Sequence, residues 1–281
     1  MDLDNIFGAY QSQKSLVSSN KILAPNLISE NYINNYVEIN DFGDQTLFQI
    51  LKNKKNNKYV IFKNIIKILN KIQLIKDKKV KNFKNKLYKV QEYKNKTLID
   101  ETKLFCDWYA PKKLSKSKSI QFKKKFRLEI KKLLSKLNYR NVTFVHRDFH
   151  VSNLMYHNKK IAVIDSQDAL MGNRAYDLAS LIDDVRLKTP NELKDKIFKL
   201  YIETNKKIDL EKFKKDFEIL SVLRNLKIIG IFTRLAERDN KKKYLKLIPY
   251  AWELINHRIK EQNQFNNLML LLKNNFPKFI S

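Results

Sequence analysis

The segment 141–165, near the middle of the chain, constrains the fold more than any other part of the sequence. It holds three short runs of strand-favouring residues, "NVTFV", "NLMYH" and "IAVID", and the letters "NKK" between the last two are typical of a tight turn. We therefore predict one short strand followed by a β-hairpin. The sequence on both sides follows helical spacing, so these strands form a small β-structure in a largely helical chain.

The polar sequence "HRDFHVSN" lies between the first strand and the hairpin. It matches H-R-D-x-x-x-x-N, the catalytic-loop pattern of protein kinases. Phosphoryl transfer needs a carboxylate for the proton of the attacking hydroxyl, and it needs an amide oxygen and a second carboxylate for Mg²⁺. Asp148, Asn153 and Asp165 supply these groups, the last at the end of the hairpin's second strand. The pattern therefore favours a phosphotransferase.

Two other interpretations of this segment are open. His146, Asp148 and His150 alternate along an extended segment and could point the same way, as zinc ligands do. A zinc site would leave the hairpin and Asp165 unexplained, and it would have to find further ligands elsewhere in the chain. The loop could also carry polar residues by chance, but its spacing to Asp165 would then have no explanation.

The formal net charge of +28 raises the question of a nucleic-acid partner. Lysine and asparagine occur together along most of the chain, as in "LKNKKNNKYV", and lysine greatly outnumbers arginine. Proteins that read bases concentrate arginine, whose planar fork binds phosphate and guanine through two hydrogen bonds. We therefore expect a solvated lysine-rich surface and no nucleic-acid function.

Size and composition predict a globular protein of one large domain or two lobes. The chain has 281 residues, of which 43% are hydrophobic, and it has few glycines and prolines, which favours helices with short connections. We find no run of about 18 apolar residues and no signal peptide, so we expect no transmembrane segment. The single cysteine, Cys106, fits a reducing compartment, and we expect a cytoplasmic location.

The hydrophobic pattern predicts the order of the remaining elements. The first forty residues indicate a helix, a connection through "LAPNLIS" and a strand around "NYINNYVEI". Helical spacing then covers residues 45–76, 97–110 and 119–138, with an exposed loop expected over "KKLSKSKSI". After residue 176 the pattern is helical to the end of the chain.

Several blocks of the sequence resemble the aminoglycoside phosphotransferase-like kinases, and most closely the bacterial N-acetylmuramate/N-acetylglucosamine 1-kinases of cell-wall recycling. They occur in the family's order from about residue 15 to the C-terminus. The blocks are "EINDFGDQTL", "ETKLFCDWYAPKKL", "FVHRDFHVSNLMY", "IAVIDSQDALMGNRAYDLASLIDD" and "RNLKIIGIFTRLAERDNKKKYLKLIPYAWE". The resemblance implies ATP and Mg²⁺ as cofactors and transfer of the γ-phosphoryl group to the anomeric hydroxyl of an amino sugar.

The resemblance also implies the fold class, an α+β protein-kinase-like fold with a mostly helical C-terminal lobe, a small catalytic β-hairpin and a reduced N-terminal lobe. Residues 41–281 would form the catalytic lobe, and residues 1–40 would be the remnant of the N-terminal lobe. We expect that lobe's strands to be missing, because no Gly-rich turn precedes residue 40 and Lys14 and Lys21 fall in a helix and a connector. Either the reading frame begins upstream of Met1 or the protein is a reduced relative.

By position, the resemblance implies a role for each residue of the catalytic loop. Asp148 would be the catalytic base, and Asn153 and Asp165 would be the Mg²⁺ ligands. His146 and Arg147 would support the loop.

Of two further positions, Asp177 agrees with the family pattern and Ser166 departs from it. Asp177, in "RAYDLASL", resembles the family's helix aspartate, which accepts backbone N–H bonds from the loop, although an ordinary carboxylate at a helix N-terminus would fit equally well. Ser166 stands where these kinases usually carry an aromatic residue.

The resemblance assigns the ligand contacts less directly. Val37, Glu38, Ile39 and Asn40 would form the hinge whose backbone meets adenine. Four residues are candidate contacts of the sugar, because a polyol suits carboxylates and the carboxylate of N-acetylmuramate needs a cation: Glu101, Asp168, Arg224 and Arg234. Each could equally be a surface or ion-pair residue.

Two alternative functions are open at this point. The acceptor could be another small hydroxyl compound, aminoglycoside-like or choline-like, and a choline-like cation would need an aromatic cage, for which Trp108, Tyr109 and Trp252 are available. The chain could also be a non-catalytic pseudokinase that acts as a binding module. The sequence makes no prediction of the oligomeric state.

Overall fold

The computed structural model describes Val17 and residues 21–31, 34, 36–53, 57–76, 79–81, 87–260 and 262–280. The described helices are α1 (Leu47–Lys52), α2 (Lys58–Gln73), α3 (Asn95–Thr102), α4 (Lys116–Leu134), α5 (Ala175–Ile182), α6 (Asn191–Thr204), α7 (Leu210–Arg238), α8 (Ile248–Ile259) and α9 (Asn266–Asn275). The described strands are β1 (Leu27–Asn31), β2 (Tyr36–Ile39), β3 (Lys79–Lys81), β4 (Leu87–Lys89), β5 (Thr143–Val145), β6 (Leu154–His157), β7 (Lys160–Val163) and β8 (Leu170–Gly172). None of these helices combines the length and the apolar character that a bilayer crossing requires.

The chain divides into two units, which are described separately. The first unit comprises Met1–Tyr93, Arg140–Ile182 and Thr189–Ile208, and the second comprises Lys94–Tyr139, Asp183–Lys188 and Asp209–Ser281. The predicted division at residue 40, into a remnant of the N-terminal lobe and a catalytic lobe, stays a prediction. Lys14 lies outside the described residues, and Lys21 occupies a turn with a backbone φ of 59°.

The first unit begins with an antiparallel hairpin of β1 and β2 where a single strand was expected. The run "NYINNYVEI" is interrupted because the side-chain Oδ1 of Asn31 accepts the backbone N–H of Asn34 at 3.0 Å, an Asx-type turn. Across the two strands, the Ser29 hydroxyl donates to Glu38 Oε2 at 2.7 Å.

Helix α2 supplies much of the core of the first unit. A capping hydrogen bond from the backbone N–H of Val60 to the Asn57 side chain marks its start. It packs against α6, β5 and β7. The residues that it buries recur at the helical spacing of three and four: Phe62, Ile65, Ile66, Leu69 and Ile72.

The β-structure predicted from segment 141–165 is present in the first unit. Strands β6 and β7 form an antiparallel hairpin in the register Leu154↔Val163, and the two turn residues Asn158 and Lys159 have φ values of 48° and 60°. Positive φ at both turn positions suits a tight hairpin turn, and asparagine tolerates it better than most residues. Three further strands were not predicted: β8, which pairs with β5, and the pair formed by β3 and β4 in the lysine-rich stretch.

The second unit is helical in the residues that the structure describes. Helix α4 begins at Lys116 with Ser115 as its N-cap, so the loop expected over residues 112–120 is shorter than predicted. Gly230 of α7 lies against the backbone of residues 104 and 105, where a side chain could not fit. A cluster of aromatic rings forms the core of this unit: Phe105, Tyr109, Phe122, Phe126, Trp252 and Phe276.

Candidate active site

The loop that carries the "HRDFHVSN" motif lies in the first unit, between β5 and the β6–β7 hairpin. Its two apolar members, Phe149 and Val151, are fully buried and anchor it in the core. A single turn of 3₁₀ helix, Val151–Asn153, then leads into β6. Buried apolar residues thus alternate with the polar residues that face the site.

Asp177 holds the start of this loop from the first turn of α5. Its Oδ2 accepts the backbone N–H of His146 at 2.7 Å, and its Oδ1 accepts the backbone N–H of Arg147 at 3.0 Å. Asp177 is fully buried, so these bonds form where water does not compete for them. The carboxylate therefore fixes the position of two consecutive peptide groups directly before Asp148.

The backbone of Arg147 adopts φ = 73°, in the left-handed region that side chains other than glycine rarely occupy. Its guanidinium carbon lies 5.2 Å from the centroid of the Tyr93 ring. Its Nη1 donates to the carbonyl oxygen of Asp168 at 3.1 Å, and the Asp168 carboxylate is 3.8 Å away. These contacts compensate for the strained backbone at this position.

His146 is fully buried beneath the loop. Burial lowers its pKa, although the charge of Asp148 and the hydrogen bond to Ile164 act in the opposite direction. The neutral ring donates from Nε2 to the carbonyl oxygen of Ile164 at 3.0 Å, which assigns the proton to Nε2. His146 therefore ties the loop to the residue before Asp165.

Asp148 is half-buried and follows these anchored residues directly. Its carbonyl oxygen accepts the backbone N–H of His150 at 2.9 Å and the side-chain Nδ2 of Asn153 at 3.1 Å. These bonds close the loop into a compact turn, so the Asp148 carboxylate extends from a backbone that is fixed on both sides.

Asn153 and Asp165 come together at the end of the hairpin. Asn153 Nδ2 lies 3.4 Å from Asp165 Oδ2, and the backbone N–H of Ile164 donates to the Asn153 carbonyl at 3.1 Å. Asp165 has φ = 66°, which turns its exposed side chain away from the direction of the strand. The Gln167 amide Nε2 donates to the other oxygen of Asp165, Oδ1.

This donor set fits Mg²⁺. Magnesium takes oxygen ligands and keeps several waters or phosphate oxygens, so one amide oxygen and one carboxylate suffice as protein ligands. A zinc site would need three or four ligands, and the described residues contain no group of three or more His, Cys, Asp and Glu residues arranged to hold a metal ion. His146, a ligand in the zinc interpretation, already uses its Nε2 for Ile164.

The predicted hinge residues lie on or directly after β2. Val37, Glu38 and Ile39 belong to the strand, which pairs with β1 on one side in the described residues. The backbone N–H of Asn40 donates to the Asn26 carbonyl at 3.0 Å, and its side chain accepts the Asn26 N–H at 2.9 Å. The backbone groups open to a ligand are therefore those of the strand, on the edge away from β1.

The four candidate sugar contacts are divided between the two units. Asp168 lies in the first unit beside Arg147, whereas Glu101, Arg224 and Arg234 lie in the second unit. Glu101 forms an ion pair with Lys227 at 2.9 Å. Arg224 is buried, and Arg234 is half-buried at the following turns of α7.

The aromatic residues considered for a choline-like cage lie partly in the core. Tyr109 and Trp252 are buried, and the indole Nε1 of Trp252 donates to the Tyr109 hydroxyl at 3.1 Å. Burial raises the pKa of Tyr109 to about 12, although the hydrogen bond from the indole acts in the opposite direction. Neither ring is open to a ligand.

Some residues of the site were not predicted from the sequence. Gln167 contacts Asp165 and Tyr93 lies against Arg147, but near Asp165 only Ser166 and Asp168 had been singled out. Ser166 is buried, and its hydroxyl makes no hydrogen bond within the described residues. Position offers a signal for Gln167, two residues beyond a predicted ligand, whereas Tyr93 is far from the motif in sequence.

Comparison with known proteins relates this site to one enzyme family. The model of a family described as "Phosphotransferase enzyme family" matches residues 36–212, which contain the loop, the hairpin and Asp177. The N-acetylmuramate/N-acetylglucosamine kinase of Neisseria meningitidis serogroup B is 35% identical over 164 residues, covering 56% of this chain and 49% of the relative. The chain thus spans about half the length of that relative.

A second relative and a solved structure match over more of their length. The N-acetylmuramate/N-acetylglucosamine kinase of Pseudomonas aeruginosa is 26% identical over 263 residues, covering 92% of this chain and 75% of the relative. The crystal structure of aminoglycoside phosphotransferase APH(2'')-Ib bound to ADP matches with a TM-score of 0.54 at 18% identity, covering 86% of this chain and 80% of that one. The structural match confirms the predicted α+β protein-kinase-like fold.

Proposed function

Because the chain belongs to the phosphotransferase enzyme family, we propose that it is an ATP- and Mg²⁺-dependent sugar kinase. The proposed reaction transfers the γ-phosphoryl group to the anomeric hydroxyl of N-acetylmuramate or N-acetylglucosamine. One observation carries the proposal: Asp148 extends from a loop whose backbone Asp177 fixes, and Asn153 and Asp165 meet beside it. Relatives named for these two sugars support the choice of acceptor.

Asp148 acts as the base in the proposed mechanism. Its carboxylate accepts the proton of the sugar hydroxyl as the hydroxyl oxygen attacks the γ-phosphorus in line. The new P–O bond forms as the bond between the γ-phosphorus and its bridging oxygen breaks, and ADP leaves with the electron pair. Phosphoryl transfer needs little covalent chemistry from the protein. The protein therefore contributes mainly by positioning the Asp148 carboxylate, through the fixed backbone on both sides of it.

Asn153 and Asp165 are the residues that would hold Mg²⁺. When bound, the ion neutralises negative charge on the phosphate oxygens as the γ-phosphoryl group is transferred. The protein's own contribution is to orient the ligands: Gln167 binds Asp165 Oδ1, and the Asn153 amide lies against Asp165 Oδ2. The left-handed backbone at Asp165 presents the carboxylate away from the strand.

We assign adenine to the open edge of β2, at Val37, Glu38 and Ile39, with Asn40 closing the strand through its bonds to Asn26. An edge strand offers unpaired backbone N–H and C=O groups, which suit the hydrogen-bonding edge of a base. Glu101, Asp168, Arg224 and Arg234 stay candidate contacts of the sugar. The single cysteine suits a reducing compartment, and we place the protein in the cytoplasm.

The proposal is tested by incubating the full chain with radiolabelled ATP, Mg²⁺ and a panel of acceptors. The panel contains N-acetylmuramate, N-acetylglucosamine, an aminoglycoside and choline. Label in either amino sugar supports the proposal, and label only in another acceptor contradicts the substrate assignment. Mg²⁺-dependent ATP binding without transfer to any acceptor would instead indicate a pseudokinase.

A further inference from the structure

A cavity of about 160 Å³ lies within the second unit, where α3 and α4 pack against each other. Its walls come from the end of α3, from the π-helical turn Phe105–Tyr109 that follows, and from the middle of α4. Its lining includes none of the residues assigned to the candidate active site. The proposed reaction therefore gives this cavity no role.

The floor of the cavity is apolar. Cys106, Phe126 and Ile130 are buried, and Ile99 is half-buried. Burial raises the pKa of the Cys106 thiol to about 12, so the floor carries no charge near neutral pH. Water would find few hydrogen-bond partners on such a floor, whereas an apolar cavity of about 150 Å³ accepts a molecule of the size of benzene.

The rim of the cavity is charged. Asp100, Lys103, Lys123 and Arg127 line it and are exposed. Asp107 accepts a hydrogen bond from Lys123 Nζ at 2.6 Å, and its other oxygen lies 3.6 Å from Lys103 Nζ. Neither the Asp100 carboxylate nor the Arg127 guanidinium forms an ion pair within the described part of the chain. Three cations and two carboxylates leave one positive charge, which a single monoanion would compensate.

We propose that this cavity binds a small monocarboxylate whose apolar body is about the size of one six-membered ring. The apolar body occupies the floor, and the carboxylate lies at the rim beside Arg127, whose planar guanidinium donates two parallel hydrogen bonds to it. A neutral molecule of this size fills the floor without using the rim, and a small anion uses the rim without filling the floor. The cavity therefore selects for both features together.

The test is a ligand-detected NMR titration of the full chain with four probes. Benzoate has the ring and the carboxylate, benzyl alcohol has the ring without a charge, benzylammonium has the ring with the opposite charge, and acetate has the carboxylate without the ring. We expect benzoate to bind about 5–10-fold more tightly than benzyl alcohol, because its ion pair lies at an exposed rim. Benzylammonium and acetate should bind more weakly than either.

Two variants separate the rim from the floor. Arg127→Gln removes the rim cation and should weaken benzoate binding about fivefold, with benzyl alcohol binding within about twofold of the unmodified chain. Arg140→Gln is the matched control, because Arg140 is an exposed arginine that does not line the cavity. Cys106→Leu extends a larger apolar side chain into the cavity and should abolish binding of both probes, with Tm unchanged or higher.

Four results would overturn the inference. Equal affinity for benzoate and acetate would show that the basic surface alone attracts the anion. Unchanged benzoate binding in Arg127→Gln, or an equal loss in Arg140→Gln, would remove Arg127 from the site. Benzoate binding that survives in a folded Cys106→Leu protein would place the ligand elsewhere. Since Arg127 is exposed, Arg127→Gln should fold and decides the question even if Cys106→Leu does not. These outcomes hold whether or not the chain transfers phosphate.

Discussion

The buried carboxylate of Asp177 accepts the backbone N–H of His146 at 2.7 Å, and this bond joins helix α5 to the start of the catalytic loop. The adjacent N–H of Arg147 uses the second carboxylate oxygen at 3.0 Å. A carboxylate is the one side chain of this size that accepts two such bonds without a donor of its own. The loop therefore depends on the charge as well as on the shape of Asp177.

Asp177→Ala should lower the free energy of unfolding by about 2–4 kcal/mol, because it leaves two buried backbone N–H groups without acceptors. The conservative variant Asp177→Asn keeps one acceptor oxygen and should lose roughly half as much. Urea denaturation followed by circular dichroism measures both values. Equal stability of Asp177→Ala and the unmodified protein would show that these bonds do not hold the loop.

His146 should make stability depend on pH in one direction. Burial lowers its pKa from 6.5, so below pH 6.5 the unfolded chain binds a proton that the folded chain does not. The contribution of neutral His146 to the free energy of unfolding is fully present above pH 6.5. It is lost as the pH falls from there towards the pKa of His146 in the folded protein. The loss is at most about 1.4 kcal/mol per pH unit.

The variant His146→Gln isolates this effect, because glutamine keeps a donor for the Ile164 carbonyl and does not titrate. Chemical denaturation at a series of pH values from neutral to mildly acid compares the two proteins. The stability of the unmodified protein should fall more steeply below pH 6.5 than that of the variant. Parallel curves would mean that folding does not lower the pKa of His146.

Cys106 should resist alkylation in the folded protein. Its side chain is buried, and burial together with the negative charge of Asp107 raises the pKa of the thiol to about 12. Since the thiolate is the reactive form, iodoacetamide near pH 8 should react only after unfolding. Mass spectrometry detects one adduct, because the chain has one cysteine. Equal rates with and without guanidinium chloride would contradict the buried position.

Gly230→Ala should destabilise the second unit. An added Cβ would lie 2.4 Å from the carbonyl carbon of Leu104 and 2.5 Å from the backbone nitrogen of Phe105. Because neither backbone atom can rotate away, α7 must shift, and we expect a loss of about 1–3 kcal/mol. Alanine usually stabilises a helix interior relative to glycine, so a higher Tm in calorimetry would show that this contact is absent.

Local patterns in the sequence predicted the part of the fold that depends on neighbouring residues. The β6–β7 hairpin was predicted because its turn residues, Asn158 and Lys159, lie between two strand-like runs. Strand β8 was not predicted, since Leu170–Gly172 is too short for a pattern and its partner β5 is far away in sequence. In place of the β1–β2 hairpin the pattern predicted a connection through "LAPNLIS" and one strand, since the turn between them depends on a side-chain hydrogen bond of Asn31 that a hydrophobic pattern does not reveal.

The same distinction applies to the site. The motif identified Asp148, Asn153 and Asp165 by their spacing along the chain, and their roles stay proposals. Contacts such as Tyr93 with Arg147 join distant parts of the chain and carry no local signal. The sequence likewise offered Arg224 as one of two candidate cations for the sugar, and its burial became visible only in the structure.

The most direct test of the central claim is the rate of phosphate transfer from ATP to N-acetylmuramate or N-acetylglucosamine by the unmodified chain and by Asp148→Asn. The variant keeps the size of the side chain and removes the base. We expect it to transfer phosphate at least about 100-fold more slowly, with Mg²⁺-dependent ATP binding and Tm unchanged. Transfer at the unmodified rate by Asp148→Asn would contradict the account.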